Sequence, residues 1–344
     1  MAKPQRDGER LNVRQIAELA GVSTATVSRV YRGVGQVSPE MRKRVSEAIE
    51  QYGYRPSHFG SALRQRRNST LGIVFPGLTG PYFGELIEGF DRAAIQAGVS
   101  VNIFSTHALR DSAADLEAMT ERVDGLAVHA GVVEEQVLDR LAELVPIVVI
   151  GGNPAGTDIP ADALQVRSDH TQMHELVTHL IRDHGRTRLA FLGRPSDSPD
   201  IQSRYDQYAA ALRDAGLEPR EPIPAWLAQA DGVLAAPGII ASLRAGELDG
   251  VVCANDELAL GLMFAALGEG VAIGDELAIT GVDDVPMAGL VTPGLTTLAR
   301  PLQDLAGTAA ELLLDLIAER RAESVVVPSH VVRRGSCGCP AGTR

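Results

Sequence analysis

The stretch Val13-Arg14-Gln15-Ile16-Ala17-Glu18-Leu19-Ala20-Gly21-Val22-Ser23-Thr24-Ala25-Thr26-Val27-Ser28-Arg29-Val30 decides how the rest of this chain is read. Asn12 is placed to cap a helix with Val13, Ile16, Leu19 and Ala20 on one face. Gly21-Val22 makes a turn, and Ser23 opens a second helix with Val27 and Val30 pointing inward. Ala17 is small where two helices cross, Gly21 admits a tight turn, and Val22 and Val27 fill the corner. Ser38-Pro39, an N-cap followed by a first-turn proline, opens a third helix that buries Val45 and Ile49. This pattern is a helix-turn-helix. The amides at the start of its second helix face a phosphate. The exposed face offers Thr24, Ala25, Ser28 and Arg29, a short polar surface that fits a DNA major groove about 12 Å wide. A structural three-helix bundle with a solvated polar face is the plainer alternative.

Charge weighs against that alternative. Residues 1–68 carry 13 Lys and Arg against 6 Asp and Glu, a net of +7, whereas the other 276 residues carry a net of −19. A basic head on an acidic body points to nucleic acid at one end only. Residues 1–10 read as a flexible tail and residues 11–56 as the helix-turn-helix domain. Residues 57–68, short, basic and polar around Phe59, Ala62 and Leu63, read as a linker able to form one or two helical turns.

From Thr70 onward the pattern changes to apolar runs alternating with amphipathic helices. Strands are expected at 71–75, 99–104, 125–128, 147–150, 189–192, 251–253 and 278–282. Helices are expected at 83–96, 172–182, 204–215 and 257–267. Continuous apolar strands alternating with helices imply parallel sheets covered on both faces. There are more strands than one small doubly wound sheet holds, so residues 69–335 are expected to form two lobes. Residues 336–344 read as a second polar, flexible tail. No apolar run reaches the roughly 18 residues of a spanning helix, and the polar N-terminus carries no signal-peptide pattern. Three cysteines make no disulfide framework, so a reducing cytoplasm and no membrane partner are expected.

The same opening stretch, continued by Tyr31-Arg32-Gly33, Val37-Ser38-Pro39-Glu40 and Ala48-Ile49-Glu50-Gln51-Tyr52-Gly53-Tyr54-Arg55-Pro56, resembles the lactose-repressor (LacI/GalR) family of bacterial transcription regulators. The similarity continues through Gly72-Ile73-Val74, Asp124-Gly125-Leu126, His179-Leu180-Ile181, Ala254-Asn255-Asp256, Gly281-Val282-Asp283-Asp284, Leu295-Thr296-Thr297 and Ala310-Glu311-Leu312-Leu313. Only the two tails fall outside it. The resemblance implies a recognition helix at about residues 23–31, with Thr24, Ala25 and Arg29 reading bases and Ser23, Thr26 and Ser28 touching phosphates. It matches residues 57–63, with Ser57 and Gly60, to a hinge helix that folds on the operator, and Leu63 to a leucine wedge in the minor groove. It further implies a two-lobed core like the periplasmic sugar-binding proteins, an effector cleft between the lobes, and a homodimer on a near-palindromic double-stranded operator.

The chain departs from the family pattern in places. Arg32 stands where Asn is usual, which implies either an extra backbone contact or an altered base contact. Gly60 replaces a hinge-helix Ala, at a cost of about 1 kcal/mol of helix propensity. Gly80-Pro81-Tyr82-Phe83 replaces Asn-Pro-Phe-Phe, His170 follows Asp169 where Asn is common, and Gln207 replaces the glycine three residues after Arg204. These changes bear on the effector rather than on the class.

Candidate effector-binding residues are Tyr82, Phe83, Asp169, Arg204, Trp226, Asn255 and Asp283. Asn255 and Asp283 each follow an apolar strand at its C-terminal end, where ligands of open α/β sheets bind. Arg204 supplies a donor fork, Asp283 two acceptors, Asn255 both kinds, and Trp226 a flat apolar face. This set suits a neutral polyol, so a sugar is the expected effector. A purine stacked on Trp226, Tyr82 or Phe83 is the runner-up. Asp256 and Asp284 read as helix caps.

No nucleophile elbow, phosphate loop or dinucleotide fingerprint is present, so no enzyme and no cofactor are expected. A solute-binding protein for transport would need a signal peptide and no basic head. His170, His174, His179 and His184 lie close in sequence, but no Glu or Cys completes a known zinc spacing around them. Cys337-Gly338-Cys339 reads as two exposed thiols, so no metal site is expected. The chain is thus read as an α/β protein, an N-terminal helix-turn-helix domain plus a two-lobed core with parallel sheets. Its expected function is that of a cytoplasmic repressor whose operator affinity an effector controls.

Overall fold

The computed structural model describes residues 13–32, 37–52, 69–106, 112–152, 159–161 and 163–340. The chain divides into two units, Met1–Asn68 and Ser69–Arg344. The tail at 1–10 and the linker residues Ser57, Gly60 and Leu63 lie outside the described residues.

In the first unit, α1 (Val13–Ala20), α2 (Thr24–Arg32) and α3 (Pro39–Gln51) enclose a small core. Ile16, Ala17, Ala20, Val27, Val30, Val45 and Ala48 are its buried members. The turn between α1 and α2 depends on Gly21, whose φ of +60° suits a residue without a Cβ. Ser23 Oγ accepts the Thr26 amide at 3.1 Å and so caps α2. Ser38 Oγ accepts the Met41 amide at 3.3 Å, with Pro39 in the first turn of α3. Leu19 departs from expectation. It is 52% exposed, because at about 100° per residue it lies roughly 110° around α1 from the centre of the Ile16, Ala17 and Ala20 stripe.

The second unit holds two lobes. The first contains β1 (Thr70–Phe75), α4 (Pro81–Gln96), β2 (Ser100–Ser105), α5 (Ser112–Thr120), β3 (Gly125–His129), α6 (Glu135–Ala142), β4 (Ile147–Ile150) and β5 (Leu164–Ser168). The chain then enters the second lobe, with α7 (Gln172–Arg182), β6 (Leu189–Leu192), α8 (Pro199–Asp214), α9 (Gln229–Arg244), β7 (Gly250–Cys253), α10 (Asp256–Gly268), β8 (Ala278–Asp283), α11 (Pro286–Leu290) and β9 (Thr296–Ala299). It returns to the first lobe for α12 (Leu302–Ile317) and β10 (Val325–Val327), then crosses back for β11 (His330–Val332).

The first sheet has the order β10-β5-β4-β3-β1-β2 and its pairs are parallel. The second has the order β11-β9-β8-β7-β6, parallel except for the antiparallel β11. α4 and α12 cover one face of the first sheet over Leu71, Ile73, Phe90 and Leu313, and α5 and α6 cover the other over Val74, Leu116, Val128 and Leu141. The second lobe closes around Phe191, Tyr208, Val252, Leu262 and Leu298. Helices on both faces explain why the central strands read as unbroken apolar runs.

All seven expected strands are present. The strands that the sequence pattern left unassigned are β5 and β9, which carry Gln165, Arg167, Thr296 and Thr297, and the three-residue β10 and β11. α9 was hidden by the internal Pro237. The expected tail at 336–344 is corrected for its described part. A 3₁₀ turn at Gly335–Cys337 packs into the second lobe, with Ser336 and Cys337 buried. The Thr296 amide donates to Ser336 Oγ at 2.8 Å, and Ser336 Oγ donates to the Ile279 carbonyl. Buried backbone and hydroxyl groups need such partners, and this short segment supplies them. Residues 341–344 lie outside the described residues. Among the described residues, no helix is long and apolar enough to cross a membrane.

Candidate functional site

Two surfaces carry the chemistry. The first is α2. Ser23, Ala25 and Arg29 are exposed and Thr24 and Thr26 partly so, while Val27 and Val30 face the core. Ser23 Oγ also lies 2.9 Å from Thr26 Oγ1, so these two hydroxyls are partly engaged in holding the start of the helix. The side chains of Ser28 and Arg32 lie outside the described residues. What remains on the described face is a short polar patch with one guanidinium, of the size a major groove admits.

The second surface is a cavity of about 420 Å³ where the two lobes face each other. From the first lobe come Tyr82 and Phe83 in the first turn of α4, and His129 at the end of β3. The second lobe contributes Asp200 and Arg204 on α8, Trp226, Asn255 after β7, Glu257, Asp283 at the end of β8 and Arg300 after β9. The strand termini explain the convergence. Residues 255, 283 and 300 all stand at C-terminal strand ends, the open edge of a parallel sheet.

Two pairs among these residues bond to each other, and Asp200, Arg204 and Asn255 bond to neighbouring groups. Arg300 Nε donates to Asp283 Oδ1 at 2.8 Å, Nη2 approaches the same oxygen at 2.6 Å, and both side chains are buried. Burial pushes the Arg300 guanidinium toward losing its proton, but the facing Asp283, Tyr82 and Asp200 outweigh it and hold the proton more tightly than usual. Asp283 has φ +115° and Asp284 φ +55°. Left-handed backbone at a non-glycine residue costs of order 1–3 kcal/mol, and here it turns the Asp283 carboxylate into the cavity.

Asp200 accepts the Gly152 amide at 3.1 Å and His170 Nε2–H at 2.9 Å. Its burial raises the carboxyl, but the hydrogen bond from His170 and the positive Arg204 and Arg300 prevail and hold it well below the usual carboxylate range. His170 is itself pushed down by burial, against the raising effect of its bond to Asp200. Tyr82 Oη donates to His129 Nε2 at 3.0 Å, and His129 Nδ1 donates to the Ala130 carbonyl at 3.1 Å. Burial lowers His129 and raises the Tyr82 hydroxyl. Arg204 donates from Nη1 to the Ala254 carbonyl at 2.6 Å, while its buried Nε has no partner among the described residues. Burial and the neighbouring Arg300 both lower Arg204. Trp226 stands at the rim, 59% exposed, with the Arg194 guanidinium 4.2 Å from its ring centroid.

The structure brings six of the seven expected residues to the cavity: Tyr82, Phe83, Arg204, Trp226, Asn255 and Asp283. Asn255 is less free than expected. Its Oδ1 caps α10 through the Leu258 amide and its Nδ2 donates to the Leu227 carbonyl, both at 3.0 Å. Asp169 is a correction. It is not among the cavity-lining residues, and its Oδ1 accepts the Thr171 amide at 2.9 Å in the turn before α7. The neighbouring His170 is the residue that reaches the site, through Asp200. Asp256 does not cap its own helix. It is fully buried and accepts from the Val285 amide at 2.9 Å and the Thr297 hydroxyl at 2.6 Å. Burial raises its carboxyl well above the usual range.

Sequence reasoning missed Asp200, His129, Glu257 and Arg300. Arg300 carried no local signal, since it follows β9, a strand that the sequence pattern left unassigned. Asp200 lay outside every expected element, since the helix expected from residue 204 in fact begins at Pro199. The grouping of histidines is also corrected. His170 is paired with Asp200, and His174 pairs at the surface with Asp214 at 2.9 Å. His179 and His184 instead meet Cys337 and Cys339, with one donor atom of each within 4.8 Å of the others. The Cys337 thiol is buried, against the expectation of an exposed one, because the terminal segment folds onto the lobe.

The comparisons with known proteins agree with this architecture. Residues 12–57 match the model for bacterial regulatory proteins of the lacI family, and residues 177–337 match the periplasmic binding protein-like domain. The chain is 28% identical over 334 residues to the HTH-type transcriptional repressor PurR of Vibrio campbellii, covering 93% of this chain and 97% of the relative. A crystal structure of the Lac repressor dimer bound to operator and the anti-inducer ONPF superposes with a TM-score of 0.82 at 21% identity, over 96% of this chain and 99% of that one, a likeness of fold. The transcriptional regulator CelR in complex with cellobiose gives a TM-score of 0.67 at 26% identity, over 95% of this chain and all of that one. The chain thus joins a lacI-family DNA-binding domain to a periplasmic-binding-protein-like effector domain, the organisation of a DNA-binding transcriptional repressor.

Proposed function

We propose that the effector is a neutral polyhydroxylated molecule, a sugar or sugar derivative, bound in the cavity between the lobes. The observation that carries this reading is the cavity's charge inventory. Two cations, Arg204 and Arg300, face four acids, Asp197, Asp200, Glu257 and Asp283. Arg300 is already held by Asp283. A phosphate or other strong anion meets net repulsion there, whereas hydroxyl groups find both acceptors and the unpartnered Arg204 donor. Trp226 offers a ring face to the C–H side of a sugar. CelR, a structural relative, carries cellobiose.

The chain acts as a homodimer on a near-palindromic operator in the cytoplasm. Thr24, Ala25 and Arg29 read bases, Ser23, Thr26, Ser28 and Arg32 approach the backbone, and Leu63 enters the minor groove from the 57–68 linker. Effector binding biases the angle between the lobes, and the two affinities are reciprocally coupled, typically by 1–3 kcal/mol.

The test is a thermal-shift screen of sugars and nucleobases, followed by calorimetry of hits on Asp283→Asn and Arg204→Ala. Sugar hits weakened by both substitutions support the reading, and a purine-only hit overturns it. For the head, Arg29→Ala is expected to cost about 1–3 kcal/mol of operator binding and relax base preference. Unchanged discrimination between operator and random DNA removes Arg29 from the base readers.

A further inference from the structure

The N-terminal ends of β8 and β9 lie at the end of the second sheet opposite the cavity. There the C-terminal end of α7 meets residues 335–340. His179 Nε2 lies 3.2 Å from His184 Nε2, 3.5 Å from Cys337 Sγ and 3.4 Å from Cys339 Sγ. Cys339 Sγ lies 3.3 Å from His184 Nε2. A tetrahedron with metal–nitrogen bonds of about 2.0–2.1 Å and metal–sulfur bonds of about 2.3 Å has edges of roughly 3.3 Å between nitrogens and 3.5 Å between nitrogen and sulfur. Four of the six edges therefore already stand at the spacing of a zinc coordination shell, and the other two lie within 4.8 Å.

The surroundings fit the same geometry. His179 Nδ1–H donates to Asp183 Oδ2 at 2.7 Å, which turns the Nε2 lone pair toward the cluster, as a carboxylate does behind a metal-bound histidine. The Thr296 hydroxyl lies 3.1 Å from Cys337 Sγ. Gly338, at φ +105°, lets both cysteines face the same point. A Cβ there would come within 3.0 Å of the Gly274 carbonyl and 3.1 Å of His184 Nδ1. Hydrogen bonding alone serves the cluster poorly. Two imidazole nitrogens 3.2 Å apart share at most one proton, and thiols are weak donors.

We propose that His179, His184, Cys337 and Cys339 bind one Zn²⁺ in a Cys₂His₂ site that fastens the C-terminal segment to α7. Two thiolates and two imidazoles in a tetrahedral array select zinc over the hard oxygen-seeking cations. Four protein ligands leave no open position, so the site is structural. The cation takes the place of the two thiol protons, which leave to solvent on binding.

The experiment uses the full chain without a histidine tag, purified under reducing conditions. Mass spectrometry of the metal content should give about one zinc per chain. Removing zinc with a chelator should lower the melting temperature of the parent. Adding Co²⁺ to the metal-free chain should give visible ligand-field bands and a near-ultraviolet thiolate-to-cobalt band. Cys339→Ser and His184→Ala, at partly exposed positions, should keep the parent circular dichroism and operator binding yet lose the thiolate–cobalt signature or the zinc. Asp183→Asn should weaken zinc binding by roughly 10–100-fold, and either ligand substitution by more. A natively folded parent that neither carries zinc nor gives the thiolate–cobalt band overturns the proposal. So does a Cys337–Cys339 disulfide in the freshly purified chain, or zinc retained by the Cys339→Ser, His184→Ala double variant.

Discussion

The C-terminal ends of the second-lobe strands carry Asn255, Asp283 and Arg300 around an open cavity of about 420 Å³. The N-terminal ends of β8 and β9, in the same lobe, approach His179, His184, Cys337 and Cys339, packed within 4.8 Å of one another. Both ends are polar clusters in a lobe whose centre is apolar. At the cavity, Arg300 and Asp283 compensate each other, and the remaining donors and acceptors, with acids in excess, line free space. At the other end, two imidazole nitrogens and two sulfurs face one another at 3.2–3.5 Å. The first arrangement suits a molecule with many hydroxyl groups, and the second suits a single cation. A polar cluster in a protein interior is therefore read by what its unsatisfied groups face, not by its composition.

The comparison can be broken at the ion pair. Arg300→Ala leaves Asp283 buried without its partner and should cost about 3–5 kcal/mol of stability in urea unfolding. Removing both members should recover part of that loss. If Arg300→Ala unfolds like the parent, the cavity is not built on matched charges. The next effect is on the ligand. Arg204→Ala should weaken effector binding by about 1.5–3 kcal/mol, measured by calorimetry, with zinc content unchanged. Zinc lost together with the effector would show that the two ends do not act separately.

The acid response sharpens the contrast further. Burial lowers His170 and His129 below the ordinary histidine value of about 6.5. In the unfolded chain these groups take up protons first. The stability they contribute is present above about pH 6.5 and is lost as pH falls toward the folded values. The melting temperature of the metal-free chain should therefore drop between pH 7 and pH 5, and His170→Asn should flatten that slope. The smallest effect belongs to the cavity rim. Trp226 is 59% exposed, so Trp226→Ala should change stability by no more than about 0.5 kcal/mol. The same change should cost roughly tenfold, about 1.4 kcal/mol, in sugar affinity. Equal affinity in parent and variant would move the ligand off the ring.

Legibility followed the range of the contacts. The helix-turn-helix was readable because its determinants fall within about forty residues: Ile16 and Val27 at helical spacing, Gly21 in the turn, and Ser23 and Ser38 as caps. The central strands were readable because burial on both faces leaves them largely apolar on both sides. The cavity was partly readable, since Asp283 and Asn255 sit at strand ends. Asp169 failed because a turn next to a strand end offers its own amide to a carboxylate, which consumed the acceptor expected to face the ligand. Arg300 and Asp200 went unnoticed because nothing local marks an ion pair between residues far apart in sequence.

The amino-acid sequence alone settled the class of this protein: a basic DNA-binding head, an acidic α/β body, and the face of α2 that carries Arg29. Local spacing and net charge are properties of the chain before it folds, and they suffice for that much. The pairing of His170 with Asp200, of Arg300 with Asp283, and of His179 and His184 with two cysteines at least 153 residues further on depended on packing. A parallel sheet gathers the ends of distant strands into one edge, and a terminal segment with buried hydroxyls finds its partners there. Sequence separation carries no record of either event, so charge compensation in the cavity and ligand convergence at the opposite end exist only in the folded lobe.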